Sequence, residues 1–310
     1  MTAAYLIAGQ SVRLALREQT VVVMAALLLA LVLLSAWLGW QATTTVHQIY
    51  LDAAAFLAAA GKPVPDIQIL NTSALGLMRN LAVYFTLIGA LSAIVIGNRL
   101  VALDRKGGIL PLLGTRPVTR ATYAVGKILA LVILIGGLVV LAAVISAATL
   151  FILPDAKFSP ADWGRLTAFF GVSTLYILIF GLAALAATAR SRSETIGILV
   201  PVTFWLTATF ILPALTLNLT PTAVLNPISA LVPAPETAFF GWTGWALGPF
   251  SVAQNYGSTA AGLLGYRPAL WVSGAAIPPL ASLSVILSAA VWAAYSGLRR
   301  LSQTDEGCDV

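Results

Sequence analysis

Charge is the scarcest property of this sequence. Of 310 residues only 9% are Asp, Glu, Lys or Arg, while 59% are hydrophobic. A water-soluble globular domain carries about 25% charged residues, so the chain is built for a membrane. A single cysteine, Cys308, excludes an internal disulfide and any metal site assembled from several thiolates. A single histidine, His47, excludes haem held between two imidazoles and makes no metal centre alone, because such a site needs several ligands. A phosphate loop of the G-x-x-x-x-G-K-[ST] type is missing too. Gly107-Gly108 is followed by Ile109-Leu110, without the lysine and hydroxyl that grip phosphates. An intramembrane hydrolase would need a nucleophile beside a base, and the only imidazole lies outside the long apolar runs. The chain is therefore not expected to be an enzyme or to hold a cofactor of its own.

What is present is a series of long apolar runs. Spans of about 20 residues, enough for a hydrocarbon core, are read at 21–40, 80–103, 128–153, 166–189, 196–217 and 271–297, the last kinked near Pro278-Pro279. Residues 2–19 place Tyr5, Leu6, Val12, Leu14 and Leu16 among Gln10, Arg13, Arg17 and Glu18. That spacing predicts an amphipathic helix at the interface, its arginines toward anionic lipid. No small-residue cleavage site follows the first run, so it is expected to remain as span one. Residues 41–79 form an outer segment containing a surface helix, broken at Gly61-Lys62-Pro63. Residues 218–270 are apolar, aromatic and proline-broken, and predict short re-entrant or outer helices, since irregular backbone at membrane depth must be buried in protein or line a cavity. The expected fold is all-α and polytopic, a single transmembrane domain over 1–310.

The net charge of +6 resides at the ends of the apolar runs and forms no continuous patch, so nucleic acid is not an expected partner. Of the seventeen Lys and Arg residues, twelve fall on one side of this topology and five on the other. The rule that retains basic residues inside puts both termini in the cytoplasm, and the inner membrane of a bacterium is the expected location. No Asp, Glu, Lys, Arg or His stands well inside a span as drawn, which disfavours a proton-driven antiporter or ion pump. Gly126, Gly136, Gly137, Gly171 and Gly181, with Ser282, Ser284 and Ser288, are small enough for close helix approach, within the chain or between subunits. For Thr203, Thr207 and Thr209 of span five two readings stand: the lining of a translocation path, or hydroxyls bonded back to their own helix.

The most distinctive stretch is 104–127, DRKGGILPLLGTRPVTRATYAVGK, basic residues around a short apolar run between spans two and three. It predicts a cytoplasmic segment containing a short amphipathic helix, lying on the membrane or against another protein.

This stretch resembles the corresponding segment of ABC-2 type transporter permeases. The matching positions are Asp104, Gly108-Ile109-Leu110, Leu112-Leu113, Gly114-Thr115-Arg116, Pro117-Val118-Thr119-Arg120 and Gly126-Lys127. Leu225-Asn226-Pro227 is similar to a Leu-Asn-Pro in the permeases of nitrous oxide reductase maturation transporters. Ile109 and Arg105-Lys106 depart from the family pattern, and Pro111 interrupts its leucine run. The resemblance implies a permease that couples ATP hydrolysis by a separate ATPase subunit to export, or to work on an outer partner. Asp104, Gly108, Leu110, Leu112, Leu113, Arg116, Pro117 and Arg120 are then the ATPase-coupling residues. ATP and Mg belong to a dimer of ATPase subunits, and a second permease chain, identical or related, completes the complex. The alternative is a membrane scaffold or assembly protein that holds a periplasmic partner without transport.

Overall fold

The computed structural model describes residues 2–61, 74–107, 119–152, 159–191, 193–218, 237–265 and 277–304. They are helical almost throughout and contain no strand. Helix α1 is Thr2–Arg17 and α2 is Gln19–Ala59. Helices α3 (Arg79–Lys106), α4 (Arg120–Ile152), α5 (Pro160–Arg190) and α6 (Glu194–Leu217) follow. Two short helices, α7 (Ala238–Leu247) and α8 (Val252–Leu264), precede α9 (Pro279–Thr304). Six of these, α2 to α6 and α9, are long and apolar enough to cross a membrane. The chain is an all-α polytopic membrane protein.

Helix α5 is the hub. It packs against α3, α4, α6, α8 and α9, and 72% of its most apolar window is buried, against 22% for α9. Its far half carries the aromatic core: Phe85 of α3 sits 6.1 Å from both Phe169 and Phe170 of α5. Glycine sets how close α3 and α5 come. A Cβ at Gly97 would strike the Gly181 carbonyl oxygen, so two backbones meet there with nothing between them. Of the small residues singled out from the sequence, Gly126 and Gly181 do stand at close approaches, whereas Gly136, Gly137 and Gly171 face open space.

Several boundaries differ from the sequence reading. Residues 41–59 are no separate surface helix but the continuation of α2, whose 41 residues reach about 60 Å, twice the ~30 Å hydrocarbon core. Neither Gly nor Pro interrupts this helix after Trp40 until Gly61, which takes the left-handed conformation (φ 66°) beyond its end. Helix α4 begins at Arg120 rather than 128, and α3 runs on to Lys106, so both ends of the 104–127 segment are helical. Residues 271–276 of the last span read from the sequence lie outside the described residues. The helix starts at Pro279, where a missing N–H costs nothing, and runs through Arg299 and Arg300 to Thr304.

Helix α1 packs on the bundle along one face. Its buried face is the small-residue stripe Ala4, Ala8, Ser11 and Ala15, packed on α4, while Tyr5, Leu6 and Leu16 point outward. Small residues allow the approach: a Cβ at Gly126 of α4 would fall 2.8 Å from Ile7.

At the other end of the bundle α5 begins with a capping box. The Ser159 hydroxyl accepts from Asp162 N–H, the Asp162 carboxylate accepts from Ser159 N–H, and Pro160 opens the helix. Ser159→Ala is expected to cost about 1 kcal/mol, read as a small drop in thermal stability in detergent. An unchanged midpoint would mean the cap is redundant.

Candidate functional site

Most described basic residues near the helix ends gather at one end of the bundle, the basic end, while Arg79 and Arg165 stand at the other. The centre of the basic end is a buried ion pair. Asp104, in the last turn of α3, accepts from Lys127 of α4 at 2.6 Å, and both side chains are at most 5% exposed. The Tyr123 hydroxyl, one turn before Lys127, donates to the same Asp104 oxygen at 2.8 Å. Lys127 also donates to the Leu100 carbonyl (2.8 Å) and to the Ser11 hydroxyl of α1 (3.0 Å). An ammonium group has three N–H donors, and here each has an acceptor, one each from a carboxylate, a backbone carbonyl and α1. The pair therefore ties together α1, α3 and α4, and it closes the base of the segment that joins α3 to α4.

A second polar layer surrounds this clamp. Arg99 of α3 pairs with Glu194 at the start of α6 (2.9 Å) and reaches Glu18 between α1 and α2 (3.8 Å). Lys106 joins the same Glu194 at 2.9 Å. Arg105 donates to the Ser191 carbonyl at 2.7 Å, closing over the α5–α6 turn. Arg190 donates to Ser296 of α9 at 2.7 Å. Deeper, Asn98 donates to Thr188 at 2.9 Å, where Gly197 lets α5 and α6 come close. Every helix of the bundle apart from α7 and α8 is tied into this end.

No family model matches the chain, and no curated protein matches it. The reading of the site therefore rests on its own geometry.

Of the residues assigned to coupling by resemblance, Asp104 is buried in the clamp and Arg120 opens α4, partly exposed. Gly108, Leu110, Leu112, Leu113, Arg116 and Pro117 lie outside the described residues. The threonines of span five do not share one face. Thr203 points out of the bundle, Thr207 is half-buried and Thr209 is fully buried. No cluster of three or more potential metal ligands occurs among the described residues.

Sequence reasoning missed the clamp itself. It took Lys127 as the last residue of a loop, whereas Lys127 sits about two turns inside α4. The available signal was Tyr123 and Lys127 at i and i+4, one helical face carrying two donors, with Asp104 as the only carboxylate in the stretch. Glu18 and Glu194 were likewise passed over, though among so many basic residues each acid marks a junction.

Proposed function

We propose that the chain is the membrane-spanning permease subunit of an ABC-2 type transporter, with its basic end in the cytoplasm and the α3–α4 segment as the docking site for a separate ATPase subunit. The observation that carries this reading is the mounting of that segment. A loop that only fixed topology would need no buried three-helix anchor. A segment that receives a push needs one, because force applied between Gly107 and Thr119 must reach the helices rather than bend the loop. Asp104 and Lys127 supply that rigidity by joining α3, α4 and α1 through charge-assisted hydrogen bonds. The Arg99–Glu194 and Lys106–Glu194 pairs pass the same displacement to α6.

On this reading Leu110, Leu112 and Leu113 seat in an apolar groove of the ATPase, and Arg116 and Arg120 pair with its acids. The chain contributes no catalysis, and ATP with its Mg is bound by the partner. Two permease chains and two ATPase subunits make the working complex, in the inner membrane of a bacterium. The scaffold reading draws its support from α2, which is about twice as long as a bilayer core requires and extends with Ile49, Leu51 and Phe56 exposed.

The deciding experiment is co-purification with a cognate ATPase subunit, together with its ATPase rate. Wild type is compared with a Leu112→Asp, Leu113→Asp, Arg116→Glu variant. The permease reading expects the wild type to retain the ATPase and the variant to lose it by tenfold or more while inserting normally. Equal retention, or no ATPase on either protein, would sink the coupling role and leave the scaffold reading in place.

A further inference from the structure

Away from the basic end, a second polar cluster sits where the bundle is otherwise apolar. Two stretches of wider, π-type winding interrupt the spans: Phe85–Gly89 in α3 and Thr207–Ile211 in α6. Such turns loosen the regular hydrogen-bond ladder and accompany functional movement more often than chance. The Thr86 carbonyl, inside the first of them, receives two side-chain donors from two other helices. Trp205 of α6 donates its indole N–H at 3.0 Å, and Tyr176 of α5 donates its hydroxyl at 3.2 Å. The Tyr176 ring stacks on Tyr256 of α8 with centroids 4.4 Å apart, and the Tyr256 hydroxyl bonds the Ser173 hydroxyl of α5 at 2.9 Å. Tyr176 and Tyr256 are fully buried and Trp205 is nearly so.

We propose that this cluster is a latch: Trp205 and Tyr176 hold α6 and α5 to the Thr86 carbonyl of α3, and their release lets α6 swing from α3 and opens the bundle toward the end opposite the basic one. Three features separate a latch from ordinary packing. The two donors converge on one acceptor, so a single carbonyl of α3 holds both α5 and α6 at this level. Helix α6 is built to bend on both sides of Trp205, with Pro201 inside the helix before it and the π turn after it. It is also lightly held, with only 28% of its most apolar window buried, while α5 is fixed at the centre. The stacked Tyr176–Tyr256 pair extends the contact to α8, and the Thr216 hydroxyl donates to Gln254 at 2.9 Å, so the far-end helices feel the position of α6. The proposal goes beyond the transporter reading and does not depend on it.

The test uses thiol accessibility in the full chain. The only native cysteine is removed as Cys308→Ser, and Thr209→Cys places a near-isosteric thiol at a fully buried position beside the latch. The protein is reconstituted in lipid vesicles and labelled with a charged, water-soluble methanethiosulfonate. Trp205→Phe and Tyr176→Phe each remove one donor while keeping the ring. Each is expected to speed labelling of Thr209→Cys about five- to tenfold, the change one lost hydrogen bond makes in an opening equilibrium. Ser146→Cys, fully buried in α4 at a similar distance from the same end, is the control and should label at an unchanged rate. Unaltered labelling at position 209 in both variants overturns the latch. So does a parallel rise at position 146, because that reports general loosening.

Discussion

Replacing Lys127 with methionine is expected to destabilise the protein by about 3–5 kcal/mol, because it leaves the Asp104 carboxylate buried with its charge uncompensated. Asp104→Leu should cost a similar amount from the other side, stranding an ammonium group. The double variant Asp104→Leu, Lys127→Met should be markedly more stable than the sum of the two predicts, since it removes both charges from an enclosed site. The reason is an asymmetry of burial. Forming the pair repays a large desolvation cost only because the geometry is good and every Lys127 donor is used. Taking away one partner keeps the cost and loses the return. Chemical or thermal unfolding in detergent for the four proteins closes the cycle. Single losses below about 1 kcal/mol, or a strictly additive double variant, would show that water reaches the pair and that it is no rigid mount. That result would also remove the observation on which the coupling role rests.

The difference between what could be read from the sequence and what could not is one of range. The six spans were legible because each is a continuous apolar run, a local property. The short helices between α6 and α9 were legible from aromatic, proline-broken composition. The length of α2 was not, because Gln41-Ala42-Thr43-Thr44-Thr45 reads as an exit from the membrane. In the structure the hydroxyls of Thr44 and Thr45 bond back to the carbonyls of Trp40 and Gln41, satisfying themselves on the helix and letting it continue. For α1 the amphipathic spacing was legible, but the small-residue face that packs on α4 was not. Against a neighbouring helix within a membrane small residues pack best, and the large ones can meet lipid. The latch, and the closure of the clamp beyond the hint of Tyr123 and Lys127 on one face, were out of reach for a different reason. Asp104 and Lys127 are on separate helices, and Tyr176 and Tyr256 are eighty positions apart, so their meeting depends on how the spans are arranged. Composition places a helix in the membrane but leaves its neighbours unspecified.

Gly97 and Gly181 are one more pair of this kind, and substituting them should give unequal results. Gly97→Ala is expected to cost about 1–3 kcal/mol, at the upper end for a small-to-large change, because the new methyl meets the Gly181 carbonyl oxygen and, at 3.1 Å, the Ala184 methyl. A backbone oxygen in the middle of the hub helix has no rotamer to change, so α3 and α5 must move apart. Separation along that crossing would disturb Asn98–Thr188 one residue further on, and with it the Gly197 contact to α6. Gly181→Ala should be milder, under about 1.5 kcal/mol. Its methyl would meet the ends of Ile135 and Leu131 at 3.0 to 3.2 Å, and these are side chains that can rotate away. The comparison is made on the unfolding midpoint of each variant and on the yield of monodisperse protein from detergent. If Gly181→Ala proved the more damaging, the α4–α5 contact, rather than the α3–α5 crossing, would be the tight one. Equal and small effects would mean that α3 and α5 are held by side chains alone, and that the bundle has slack at the level where the basic-end network hands over to the aromatic core.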